Sequence, residues 1–140
     1  PTQGEDYFLC RNGKLFPYTA KIREPLLIVT GDLPPAPSRI RNIEDKESLL
    51  KNIYEMANVL TSNSFYRAQF KQLCYNPQHE FELIPSMGRQ TILIGNGKHL
   101  EEKLSQLEIA YAQGISYMDP ARYSQLDLRY KNRIIATKRQ

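Results

Sequence analysis

The chain has 140 residues, 41% hydrophobic and 24% charged, with a net charge of +4 and a pI near 9.1. That is enough chain for one domain burying roughly two-thirds of its unfolded surface, and the composition excludes a disordered polymer. No apolar run approaches the ~20 residues that span a bilayer, and two cysteines, Cys10 and Cys74, are too few for a disulfide-built scaffold.

The chain opens Pro-Thr-Gln-Gly, without Met and without the basic and apolar stretches of a signal peptide, so it reads as a piece of something longer. The mild positive charge does not choose between nucleic acid, an anionic membrane surface and an acidic partner. It gathers at the end, in Arg129, Lys131, Arg133, Lys138 and Arg139, offset there by Asp127. Cys10 and Cys74 lie in apolar, strand-like surroundings and are expected to be buried, reduced thiols.

Tyr7–Cys10 and Leu15–Tyr18 flank an Asn12-Gly13 turn signal, which predicts a hairpin. Leu26–Thr30 is a second apolar run closed by Gly31, and the Pro-rich residues 33–38 must cross the surface. From Ile43 to Leu60 the period becomes helical. Ile43, Leu50, Ile53, Tyr54, Ala57 and Leu60 share one face, Asn42 is a suitable N-cap, and Glu44, Asp45 and Glu47 favour the positive end of the dipole. The run Thr61–Ser64 breaks this helix and is able to cap another turn through Phe65 and Tyr66.

Ala68–Tyr75 and Glu80–Ile84 read as strands around the turn Asn76–His79. Phe81 and Leu83 alternate with Glu80 and Glu82, as a half-buried antiparallel strand requires. Gln90–Ile94 is a further strand. A helix from about Lys98 to Ala112 presents Leu100, Leu104, Leu107 and Tyr111 on one face and stops at Gly114. The last hairpin runs through Gln125–Tyr130, turns at Lys131-Asn132 and returns through Arg133–Lys138. The predicted class is α+β, a mainly antiparallel sheet with two amphipathic helices packed on one face.

Candidate chemistry is sparse. Gly95-Asn96-Gly97-Lys98-His99 follows a strand, but Ile92 stands where a phosphate loop needs its first glycine and His99 where it needs a hydroxyl. It reads as a strand-to-helix turn. Ser48-Leu-Leu-Lys51 matches a penicillin-binding signature without its companion motifs. His79 and His99 lack spaced metal-ligating partners, and Glu80/Glu82 and Glu101/Glu102 read as solvated faces. No nucleophile, base and orienting group assemble, so the expectation is a binding domain with no catalytic residue, cofactor or metal. Nine tyrosines and a basic tail raise nucleic-acid stacking as an alternative, but the rings are scattered along the chain, as core anchors are.

The terminal hairpin is the strongest candidate site. A two-residue turn would pair Arg129 with Ile134, Leu128 with Ile135 and Asp127 with Ala136. Leu126, Leu128 and Ile135 would then face the core, while Arg129, Ile134, Ala136 and Lys138 would face outward. If the last strand is an edge, it offers unpaired amides to a partner strand. An ordinary edge with a solubilising Lys-Arg end is the plainer alternative.

Glu80–Ile84, the run from Gly88 through Gly97 into Leu100-Glu-Glu-Lys-Leu104, and Tyr123-Ser-Gln-Leu-Asp-Leu-Arg-Tyr130 together resemble the C-terminal domain of the FtsQ/DivIB family. Arg11–Phe16 resembles that family's early hairpin and Leu27–Gly31 its apolar strand ending in Gly, in the family's order along nearly the whole chain. The resemblance implies a non-enzymatic β domain outside the membrane, preceded by a transmembrane helix and a POTRA domain beyond this chain. It implies a role linking division proteins, with FtsB/DivIC-type and FtsL-type coiled-coil partners and other divisome members, and no nucleic acid. Arg129, Tyr130 and Asn132 would lie at the contact, with Ile134, Ala136 and Lys138 on the pairing strand. Lys131 replaces an Asp after the Arg-Tyr pair, and Lys138 stands where an aromatic can occur. The residues themselves leave open a nucleic-acid module, whose affinity would fall steeply with salt, or a domain resting on anionic lipid.

Overall fold

Phe81 and Leu83 are buried while their neighbours Glu82 and Ile84 are half-exposed, and this two-residue alternation gives β5 (Phe81–Pro85) one face in the core. In a computed structural model of the chain, residues 7–9, 15–17, 27–31, 48–86, 89–114 and 119–140 are described. Their other strands are β1 (Tyr7–Leu9), β2 (Leu15–Pro17), β3 (Ile28–Gly31), β4 (Phe70–Tyr75), β6 (Thr91–Gly95), β7 (Tyr123–Asp127) and β8 (Ile135–Lys138). The helices are α1 (Ser48–Thr61), α2 (Ser64–Gln69) and α3 (Leu100–Ala112).

All eight strands form one sheet in the order β2-β1-β3-β4-β5-β6-β7-β8. The sheet is mixed, which corrects the expectation of a mainly antiparallel one, although most of its pairings are antiparallel. β3 pairs with β4, and β6 with β7, in parallel. The reason is connectivity: α1 and α2 intervene in the first case and α3 in the second, and a helical crossover returns the chain to the end of the sheet where it started.

The buried side chains of α1 (Ile53, Met56, Ala57, Leu60) and of α3 (Leu100, Leu104, Leu107, Ala110) join one cluster with Val29, Leu73, Leu83, Ile92, Ile94 and Leu126. One face of the sheet therefore carries the helices and the core. Within α1 the buried spacing of three, one and three is the helical stripe expected, with Met56 added to it. Asn63 caps α2, its side chain accepting the Tyr66 N–H at 2.7 Å. Because α2 runs to Gln69, β4 starts at Phe70 rather than at Ala68.

The β4–β5 turn is held by Asn76, whose Oδ1 accepts the N–H groups of Gln78 and Glu80, each at 3.0 Å, and whose Nδ2 donates to Glu82 at 2.8 Å. The glycine run before α3 is a strand-to-helix turn, with Gly95 at φ 70. Predicted features at Cys10, Asn12-Gly13, residues 33–38 and 42–47 lie outside the described residues. Cys74 is a free thiol and half-buried rather than buried, because it alternates with buried Leu73 and points to the other face of β4.

A candidate partner-binding edge

The end of β7 is organised around one carboxylate. Asp127 Oδ1 accepts the backbone N–H of Arg129 at 3.0 Å and its Nε at 2.9 Å, while Oδ2 accepts Nη2 at 2.8 Å. The guanidinium reaches on to Glu80, with Nη1 donating at 2.9 Å. Asp127 is only 6% exposed, and the Arg129 guanidinium holds its carboxyl below the ordinary carboxylate range. In return the carboxylates push the Arg129 guanidinium pKa up. Leu128 remains tied to β6 through its N–H to the Leu93 carbonyl at 2.9 Å.

This cluster corrects the predicted hairpin. The Asp127 side chain captures the amide two residues on, so the strand stops at Asp127 and residues 128–134 form the connection. The observed pairs are Leu126 with Ala136 and Asp127 with Ile135, one residue away from the predicted register. A slip of one residue exchanges every side chain between faces. Ile134 and Ala136, expected outside, pack against the core, and Ile135, expected inside, is 42% exposed. Lys138 is exposed.

The connection places the remaining predicted residues together at the surface. Tyr130 is 45% exposed, and the Arg133 guanidinium lies 5.3 Å from its ring centroid. Asn132 takes a left-handed conformation at φ 61. A groove of about 480 Å³ runs between these residues and the start of α3, lined by His99, Lys103, Arg129, Tyr130, Lys131 and Asn132 among others. The Lys103 amine donates to the Ile94 carbonyl at 3.4 Å, and burial lowers its pKa. Its position in the groove was not foreseen; the one signal for it was a lysine next to the apolar Leu100/Leu104/Leu107 stripe.

β8 lies at the end of the sheet order. The Arg139 N–H donates to the Arg122 carbonyl at 2.7 Å, on the β7 side. Counting back by two, Thr137 and Ile135 also turn their amides toward β7, while Ala136 and Lys138 turn theirs to the other side, where no strand among the described residues pairs. Arg139 is not a solubilising end. Its guanidinium donates to the carbonyl of Pro120 at 2.9 Å and to that of Arg89 at 3.1 Å.

Among the described residues no three His, Cys, Asp or Glu side chains group as a metal site, and no helix is long and apolar enough to cross a membrane. No curated protein matches the chain. A family model described as "FtsQ/DivIB, C-terminal related" matches residues 1–137, nearly all of the sequence. By sequence over almost its full length, the chain belongs to the FtsQ/DivIB C-terminal related family.

Proposed function

We propose that this domain is a non-enzymatic scaffold of the division machinery that captures a partner segment by strand addition to β8. Family membership supports the scaffold role in cell division. The observation that carries the mechanism is the outer side of β8, unpaired among the described residues, where the amides of Ala136 and Lys138 point away from β7. In strand addition, main-chain bonds supply affinity and alternate side chains supply choice. The partner is an FtsB/DivIC-type coiled-coil protein acting with FtsL, and the domain stands on the extracytoplasmic side of the cell membrane, tethered by an upstream helix. Arg129, Tyr130, Asn132, Ile134, Ala136 and Lys138 form or border the contact.

The competing nucleic-acid reading is weakened by how the terminal cations are used. Arg129 is held by Asp127 and Glu80, Arg133 lies over Tyr130, and Arg139 binds main-chain carbonyls. That leaves Lys131, Arg133 and Lys138 as the exposed terminal cations, a small surface for a phosphate backbone.

The test is titration calorimetry with the C-terminal segment of the FtsB/DivIC-type protein of the same organism. Ala136→Pro removes an outward donor and is expected to weaken binding at least about tenfold. N-methylating alternate amides of the peptide tests the same bonds while leaving the domain untouched. Unchanged affinity in both arms, with an intact melting curve, would sink the mechanism.

A further inference from the structure

The start of β7 and the end of β8, at the opposite end of the sheet from the Asp127 cluster, gather positive charge. A cleft of about 430 Å³ there is lined by Ala121, Arg122, Tyr123, Lys138 and Arg139. Arg122 and Lys138 are exposed. Arg139 is half-buried, and among the described residues its guanidinium is held by main-chain carbonyls alone, through Nε and Nη2. Those neutral acceptors fix the guanidinium in place without compensating its charge, and they leave the Nη1 donors unused. Arg89, whose carbonyl is one of the acceptors, brings a fourth cation to this end of the sheet. The ion pairs among the described residues involve His99 and Arg129, and none of these four. Asp119 is close in sequence, but its Oδ1 caps the preceding turn by accepting the Ala121 N–H at 2.9 Å.

Like charges gathered in this way repel one another and raise the local concentration of anions. Three cationic side chains around one small cleft match a compact anion carrying more than one charge. A phosphate monoester carries roughly −1.5 to −2 near neutral pH, against one for a carboxylate. Its oxygens also fit the planar fork of a guanidinium. The cations do not continue as a track for an extended nucleic acid, because Arg129, toward the other end, is bound by Asp127 and Glu80. We propose that this cleft is a binding site for a compact phosphate group, free in solution or carried as the headgroup of a lipid. The site is independent of strand addition, although Lys138 borders both.

The experiment uses the whole chain with two probes: pyrophosphate in titration calorimetry, and phosphatidylcholine vesicles with and without phosphatidic acid in sedimentation. Arg139 is left intact because it anchors the chain. The double variant Arg122→Gln/Lys138→Gln removes two exposed cleft charges, and Lys51→Gln/Lys71→Gln removes two exposed charges on α1 and β4, outside the cleft. All melting curves should coincide. The cleft variant is expected to weaken pyrophosphate binding at least about tenfold and the control less than about twofold. Loss of both pyrophosphate and phosphatidic acid binding in the cleft variant would support the site and identify a lipid headgroup as its source. Loss of pyrophosphate binding, with no vesicle binding by the wild type, would support it and identify a soluble phosphate. Equal weakening by the two double variants would reduce the effect to diffuse charge and overturn the site, as would absence of binding to both probes. A glutamate-rich peptide that binds the cleft more tightly than pyrophosphate would assign it to an acidic protein segment and overturn the proposal as well.

Discussion

The aliphatic stem of Arg129 lies across Gly95: a Cβ built on that glycine would sit 3.3 Å from Arg129 Cγ, and Gly95 holds φ at 70. The strand-to-helix turn before α3 and the connection after β7 therefore share one contact. Gly95→Ala is expected to destabilise the domain by about 1–2 kcal/mol through its left-handed backbone. It should also shift Arg129 and weaken partner binding beyond the loss in stability. Denaturant melts and calorimetry on the same preparation separate the two effects.

Gly31 is the more demanding position. It is at φ 119, and a Cβ there would run into the backbone carbonyl of Tyr75, its register partner on the parallel β4. Backbone cannot swing aside as a side chain can. Gly31→Ala should cost at least about 3 kcal/mol, read as a drop in denaturant midpoint.

Asp127 makes stability depend on pH. Its folded pKa lies below the ordinary 3.8, so folding favours the ionised form. The stabilisation is complete above that ordinary value and is lost as pH falls through 3.8 and on through the lower folded value. Asp127→Asn should destabilise the domain by about 1–2 kcal/mol at neutral pH, a modest figure because Arg129 can return partly to water. The variant's stability should fall less steeply than wild type below about pH 4. Chemical denaturation between pH 3 and pH 7 checks both statements, and parallel curves would refute the linkage.

Arg139 ties the end of the chain to the Pro120 and Arg89 carbonyls. Arg139→Ala should cost about 1–2 kcal/mol, or a fall in melting temperature of roughly 3–8 °C for a domain of this size. Lys138→Ala, on the exposed neighbour, should change stability by less than about 0.5 kcal/mol. Two equal melting curves would return Arg139 to a merely solubilising role.

The Gly95–His99 turn should not recognise nucleotides. ATP with magnesium is expected to leave the melting temperature unchanged, because Ile92 and His99 stand where a phosphate loop needs a glycine and a hydroxyl. A stabilisation abolished by Lys98→Ala would contradict this.

The residue pattern by itself determined the elements whose signal is local. The alternation of Phe81 and Leu83, the Ile53/Ala57/Leu60 and Leu100/Leu104/Leu107 stripes, and the break at Thr61–Ser64 each appear where periodicity and capping put them. The ordered motifs likewise led to the family. Tertiary structure decided what depends on partners distant in sequence. The parallel pairings of β3 with β4 and of β6 with β7 follow from helices folding back over the sheet, which no strand's own pattern records. The register of the last hairpin turned on Asp127. Its charge read as one more outward residue in an alternating strand, yet it ends that strand by binding Arg129, which also reaches Glu80 across the sheet. That single carboxylate moves Ile134 and Ala136 inward and Ile135 outward, because in a strand one residue of slip reverses every face.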